Sequence, residues 1–389
     1  MFRVFNYDQR RLIMVVALLE TLRTFGIFMA NPVVAIYAHR IGASDFLSGV
    51  ALGAYGLTMA IFQYPMGRLS DSIGRRRGIF VAAVPFIVGN LICFYPFNIY
   101  GLIAGRFIAG SGAINSVSIA MVQEHISDDQ RSRAMAILGI PVGLAFLVGT
   151  AVGPVFLQFI GGNYIFLIIS ILTFAGILPV IGIKDNPVQT AKKAVRKISV
   201  KQIELSVVGF LASMFVMMFF YYVPLEIASL GSSFWLYFSL PVIIGGFVAV
   251  LLSSFADRGH TVQLAVLSVI FLAFSAPFIF SRLFPIEAGL FAGISMFVLG
   301  FSIYEIVFTP MVSRLSSRES YGSGVGLLRS LQYFGQFSGS VLAGVLYTIG
   351  SSDPSGKFFP AGLIIVLLSI PILYAATGFN EKTIKMGKT

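Results

Sequence analysis

The chain has 389 residues, of which 57% are hydrophobic and only 11% charged, with a formal net charge of +11 and a mean hydropathy of +0.89. A soluble domain is about 45–50% apolar and about 25% charged, so the bulk of this chain belongs in lipid, and disorder, collagen-like repeats and an ordinary soluble enzyme are excluded. The single cysteine, Cys93, excludes an intrachain disulfide, and His39, His125 and His260 lie too far apart in sequence to suggest a metal site.

Crossing about 30 Å of hydrocarbon takes about 20 mostly apolar residues. Twelve stretches qualify: 12–38, 46–66, 78–97, 99–123, 135–159, 163–183, 204–228, 234–255, 261–281, 286–311, 322–349 and 358–378. The first is too long for a signal-peptide core and lacks a small-residue cleavage site, so it reads as a retained helix. On its helical wheel Glu20, Arg23, Thr24 and Asn31 fall within about 100° of one face. Glu20 and Arg23 are three residues apart and can pair locally. An ionisable group inside a membrane costs roughly 2.5–3.5 kcal/mol on insertion scales, so this face reads as the wall of a cavity.

After the second stretch comes a glycine- and arginine-rich turn, Gly67-Arg68-Leu69-Ser70-Asp71-Ser72-Ile73-Gly74-Arg75-Arg76-Arg77. The fourth stretch carries Arg106 and ends near Glu124; 18 residues, five full turns, separate them, so they share a face about 27 Å apart. The fifth contains Gly139, Gly143, Gly149, Gly153 and Pro154. These permit close packing and a kink, and suggest a flexible seam between halves. Residues 184–203 are polar and hold six basic side chains. They divide the chain into a bundle over 1–183, a linker, and a bundle over 204–389.

In the second half, Ser253 to His260 looks like a worn copy of the Gly67 turn, which points to internal duplication. Glu226 follows Pro224 near one end of the seventh stretch. Glu305 lies in the tenth. In the eleventh, Arg329, Gln332, Gln336 and Ser340 form a stripe about 80° wide, which cannot comfortably face lipid. Gly335, Gly339 and Gly344 lie on the other side, where another helix can approach. Glu305 and Arg329 are at similar depth and could pair. The absence of lysine from every stretch excludes a retinal Schiff base, and no phosphate-loop motif is present.

Twenty-one of the 27 Lys and Arg residues fall in connections on the side of the N-terminus, and three on the other. The positive-inside rule then puts both termini in the cytoplasm and accounts for the basic charge without nucleic acid. The expected fold is all-α and integral to the membrane, with 12 transmembrane helices in two six-helix bundles. Two such halves in parallel repeat describe a large transporter class, with a binding site near the bilayer midplane.

The Gly67–Arg77 turn, matching at Gly67, Asp71, Gly74, Arg75 and Arg76 and departing at Ser72, resembles the signature loop of the major facilitator superfamily. Arg106 with Gly110 and Gly112, and Glu124 followed by Ser127 to Ala134, resemble that superfamily's motifs in and after the fourth helix. Thr21 to Met29, Tyr55 to Thr58 and Gly110 to Ile114 are similar to its YajR-like, proton-driven drug-exporter branch, although the chain stops shortly after its last expected span, where YajR itself carries a further soluble domain. The resemblance implies a secondary transporter working by alternating access: a proton-coupled antiporter exporting small organic or drug-like compounds. Its partners would be that substrate, protons and the bilayer, with no cofactor and a monomeric state. The expected site is a multi-pass position in a prokaryotic plasma membrane.

The same resemblance implies that Arg75 pairs with Glu124 in a cytoplasmic latch involving Asp71, and that Arg106 lies in the proton-coupling region. Glu20, Glu305 and Asp71 all stay open as the proton carrier. Leu157 and Gln158 stand where the exporter motif of the fifth helix has paired glycines. The alternative is a proton-coupled importer of a sugar, peptide or organic anion, which the membrane arginines would suit; more remote is an integral-membrane transferase.

Overall fold

A computed structural model describes residues 4–183, 199–230, 234–257, 260–281, 283–314, 321–349 and 355–378, and among them the chain is helical with no strand. In chain order the helices are α1 (Tyr7–Arg40), α2 (Asp45–Ile73), α3 (Arg75–Phe94), α4 (Ile99–Ser111), α5 (Ile114–His125), α6 (Asp128–Phe159), α7 (Gly162–Ile177), α8 (Val200–Ser229), α9 (Phe234–Asp257), α10 (Thr261–Phe280), α11 (Ile286–Arg314), α12 (Tyr321–Ile349) and α13 (Ser355–Thr377). Helix is the expected state because lipid offers backbone amides no partner, and a helix satisfies them within itself. Side chains cap the starts where the chain leaves that environment. Asn6 and Gln9 form a reciprocal capping box at the start of α1, with bonds of 2.8 and 3.1 Å. Ser199 and Gln202 do the same for α8.

Each expected apolar stretch lies on helix. Among the described residues ten segments are long and apolar enough to cross a bilayer, and Leu236–Ala249 is a shorter apolar run. Most of the expected linker, residues 184–198, lies outside the described residues, as do residues 258 and 259 of the worn second turn and the basic C-terminal residues from 379 on.

One expectation is corrected. The stretch 99–123 is not one helix: α4 stops at Ser111, and α5 starts at Ile114 after Ala113 turns into the left-handed region at φ 44°. Arg106 and Glu124 are therefore on two different helices, and the shared-face spacing computed for one helix does not apply. A Cβ on Gly112 would lie 2.5 Å from the Ala82 carbonyl oxygen of α3, so the break is pressed against a neighbouring backbone.

The contacts form two compact units, Met1–Gly42 with Leu57–Ala191, and Ala43–Gly56 with Lys192–Thr389. The first half of α2 groups with the second unit because its glycines meet α12 backbone to backbone. A Cβ on Gly56 would sit 2.9 Å from the Tyr333 carbonyl oxygen, and one on Gly344 would sit 2.6 Å from that of Asp45. The Tyr221 hydroxyl donates to the Asp45 carbonyl at 2.9 Å and is also 2.9 Å from the Ser48 hydroxyl.

Both units use the same packing device. In the first, Gly149 and Gly153 of α6 press on the carbonyls of Phe25 and Met29 in α1. In the second, Gly335 and Gly339 of α12 press on those of Phe210 and Met214 in α8. The paired glycines are 186 residues apart, and the paired Phe and Met are 185 apart. Asp71 and Asp257, in the two copies of the turn, are also 186 apart. The duplication hinted at by the worn turn thus extends to helix packing. Gly149 and Gly153 face α1 of their own unit, so the expected seam between halves is here a close contact within one half. Pro154 is buried on the same helix.

These contacts predict that Gly153→Ala lowers the thermal midpoint in detergent, at about 1–3 kcal/mol for overpacking. Gly143→Ala has no atom within 4 Å of the new Cβ and will not lower it. Equal midpoints for the two variants would contradict the packing described.

Candidate functional site

The first unit encloses a charged cluster. Glu20 and Arg23 on α1 are each 4% exposed, a degree of burial rare for charged residues unless they are paired. Arg23 Nη2 reaches Glu20 Oε2 at 2.6 Å, and its Nε reaches the same oxygen at 3.1 Å. Two side chains from the first two turns of α5 complete the cage. Asn115 Nδ2 donates to Oε2 at 3.3 Å, and the Ser118 hydroxyl donates to Oε1. The carboxylate thus accepts hydrogen bonds from two helices and lies beside one cation, the arrangement that makes a buried charge tolerable. Thr24 and Asn31, further members of the predicted face, are buried on α1 at 7% and 4% exposure.

Arg106 is buried on α4, away from this cage in the chain and beyond the break. Its helix is locked to α3. A Cβ on Gly105 would lie 2.7 Å from Cys93 Sγ, and a Cβ on Gly89 would lie 2.7 Å from the Ala109 Cα.

A second charged group forms where α2 turns into α3. Gly74 takes φ 96° just before α3, a conformation that side-chain-bearing residues rarely adopt. The tight turn brings Arg75 back over the end of α2. Arg75 Nε donates to Glu124 Oε2 at 3.0 Å while its Nη2 meets Glu124 Oε1 and Asp71. Its Nη1 donates to the Gly67 carbonyl at 3.2 Å and to the Ser70 hydroxyl. The Arg75 side chain is 5% exposed while the carboxylates of Asp71 and Glu124 are nearly half exposed. The guanidinium therefore acts as a buried fork gripping two acids that reach the surface. Arg76 Nη1 lies 3.5 Å from the Ile183 carbonyl. Gly67 has open space where its Cβ would be; its role in the group is the carbonyl it offers to Arg75.

The second unit holds a third group. Arg329 Nη1 on α12 contacts Glu305 Oε2 of α11 at 3.2 Å and Gln332 Oε1 at 3.0 Å, and Gln332 Nε2 donates to the Tyr304 hydroxyl at 2.6 Å. Tyr304 is fully buried, whereas Arg329 and Glu305 are about one-third exposed. The Gln336 side chain sits one turn on, against Gly56 of α2, and the Ser340 hydroxyl donates to the carbonyl of Phe337.

The structure brings together Glu20 with Arg23, Arg75 with Asp71 and Glu124, and Glu305 with Arg329 and Gln332. Within the first unit it keeps Arg106 on the far side of the helix break from Glu20's α5 partners. Sequence reasoning did not single out Asn115, Ser118, Ser70 or Tyr304. The first two are spaced for one helix face, and Gly110 and Gly112 just before them weaken the helix; those were the available signals.

The sequence profile of the Major Facilitator Superfamily matches residues 16–340. The inner membrane transport protein YajR of Escherichia coli (strain K12) is 27% identical over 358 residues, covering 88% of this chain and 78% of that protein. A putative multidrug resistance protein MdtD of Cronobacter sakazakii (strain ATCC BAA-894) is 28% identical over 171 residues, 42% of this chain and 36% of that one. The crystal structure of a D-xylose-proton symporter superposes with a TM-score of 0.72 over 95% of this chain and 99% of that chain, at 16% identity, a likeness of fold alone.

The Glu20 cage makes a prediction for stability. Removing one member of a buried ion pair costs about 3–5 kcal/mol because the other charge is left uncompensated. Arg23→Gln and Glu20→Gln will therefore each lower the thermal midpoint, and the double variant will recover part of the loss. A double variant as unstable as the sum of the two would show that the residues act independently.

Proposed function

We propose that this chain, which belongs to the Major Facilitator Superfamily, is a proton-coupled antiporter that exports small organic, drug-like compounds by alternating access. That it is a multi-pass membrane transporter and not an enzyme follows from its family and fold. The proposal adds direction, coupling ion and substrate class, together with twelve crossings, two cytoplasmic termini and a monomeric working form.

The observation that carries it is the caged carboxylate of Glu20. A charge this deeply buried, in a helix that spans the membrane, is functional by default. Its protonation would cancel the ion pair with Arg23 and weaken two charge-assisted hydrogen bonds. A carboxylate whose surroundings differ between two conformations has a different proton affinity in each, so a proton can drive the exchange between them. Arg106, buried on α4 before the helix break, is proposed as a partner in this step. Arg75, Asp71 and Glu124 are proposed as the latch on the cytoplasmic side, with Gly67, Gly74 and Arg76 shaping the turn that holds them. Arg329, Glu305, Gln332 and Gln336 are proposed to contact substrate, since the pair stands partly open. Drug export is supported by the likeness to YajR and to the protein named a putative multidrug resistance protein.

The test is purified protein in liposomes containing a pH-sensitive dye, with an imposed proton gradient and a panel of lipophilic cations, neutral drugs, sugars and organic anions. Lipophilic compounds should release protons against their own movement, and Glu20→Gln and Arg106→Ala should abolish this. Substrate-driven proton flux that persists in Glu20→Gln would remove Glu20 as the carrier. Flux driven by sugars or anions in the same direction as substrate would replace export with symport.

A further inference from the structure

Helix α5 is tied at both ends to charged groups that the proposed function treats separately. Its first two turns supply Asn115 and Ser118 to Glu20. Its last turn supplies Glu124 to Arg75. The two ties are nine residues apart from Asn115 to Glu124, about 13 Å along a helix. We infer that α5 is a lever: Asn115 and Ser118 are positioning residues that transmit the charge state of Glu20 to the Arg75–Glu124 pair, with Ala113 as the pivot. This rests on the reading of Glu20 as the proton carrier.

Three features support a lever over a passive helix. The segment before the pivot is immobilised, because Gly89, Gly105 and Gly112 bring α3 and α4 into backbone contact. The pivot is a real interruption: Gly112 N bonds back to Ala109 and Ser116 N to Ala113, so the regular helix ladder stops on one side and starts afresh on the other. Ala113 is held in the left-handed region that L side chains rarely adopt, and a strained non-glycine conformation held in place points to function. Third, Ser118 is five residues from the pivot and Glu124 eleven, so a small displacement at Glu20 is roughly doubled at the latch, given a uniform rise along the helix.

The groups facing the carboxylate set the sign. Arg23 faces it from α1, and Asn115 and Ser118 face it from α5. From the helices that pack on α1 beside them, residues 134–159 and 162–177 bring no ionisable side chain except Tyr164; on α4, Arg106 is the buried cation. Ionised Glu20 draws the first turn of α5 toward α1. Neutral Glu20 holds it less strongly, and the far end is freed to move against Arg75. The far end is also tied to α1, where Gln9 Nε2 donates to the His125 carbonyl at 3.2 Å, a contact that limits how far it swings.

The experiment measures distances by pulsed electron paramagnetic resonance in a Cys93→Ala background, with spin labels at Ser72→Cys and Ser127→Cys, both exposed and on either side of the Arg75–Glu124 pair. The unsubstituted cage should show a distribution that lengthens and broadens as pH falls. Glu20→Gln should hold the acid distribution at every pH. Ser118→Ala with Asn115→Ala should do the same while Glu20 is intact, and Ser118→Thr, which keeps the hydroxyl, should restore pH sensitivity. Ala113→Gly should raise or preserve the thermal midpoint yet reduce the protons moved per substrate in liposomes, which a purely structural role would not do. If Glu20→Gln abolishes proton-coupled flux but leaves the label distance unchanged, the lever is wrong and the proton reading stands. If Glu20→Gln leaves that flux intact, the proton reading fails and the lever falls with it.

Discussion

In lipid an apolar side chain gains little by exchanging a hydrocarbon neighbour for a protein one, so helices must associate by close van der Waals fit. The structure depends on this constraint at a few glycines. Gly149 and Gly153 set α6 on α1, and Gly335 and Gly339 set α12 on α8, in each case against a Phe and a Met carbonyl one turn apart. Two of the three charged groups lie on the helices these contacts set. Glu20 and Arg23 lie just before the Phe25–Met29 stretch of α1 that α6 grips, and Gln332 and Arg329 lie just before the glycines of α12. A packing error of one methyl group at these points would displace the side chains that carry the chemistry.

The three charged groups differ in depth, and their electrostatics differ with it. Glu20 with Arg23 is nearly sealed, so its electrostatics are strong and its protonation matters energetically. Arg75 is buried while its two acids reach the surface, a geometry suited to a contact that is made and broken. Such a contact loses less when it opens, because water can take over the exposed carboxylates. Glu305 with Arg329 is partly open on both sides and backed by the buried Tyr304–Gln332 bond, which orients the arginine without closing it off.

The interruption between α4 and α5 shows how local and tertiary effects combine. Gly110 and Gly112 lower the cost of leaving the helix, but nothing local forces an alanine into the left-handed region. That conformation is held because Gly112 is wedged on Ala82 while α5 is fastened at Glu20 and Arg75. The surrounding contacts over-determine the strained residue.

The sequence by itself determined the helices and their approximate limits, because length and apolarity are properties of the chain alone and a bilayer permits few alternatives. It also determined the Glu20–Arg23 pair, since residues three apart on a helix are neighbours whatever the fold. The family was legible in the Gly67–Arg77 turn, whose glycine at Gly74 answers a local backbone need. The Arg75–Glu124 pair, 49 residues apart, is expected from the family motif, but only the tertiary structure decided that Asn115 and Ser118 serve Glu20 and that the fourth stretch breaks at Ala113. Those outcomes depend on which helix faces come together, and a serine, an asparagine or an alanine in an apolar stretch carries no mark of the partner it will meet.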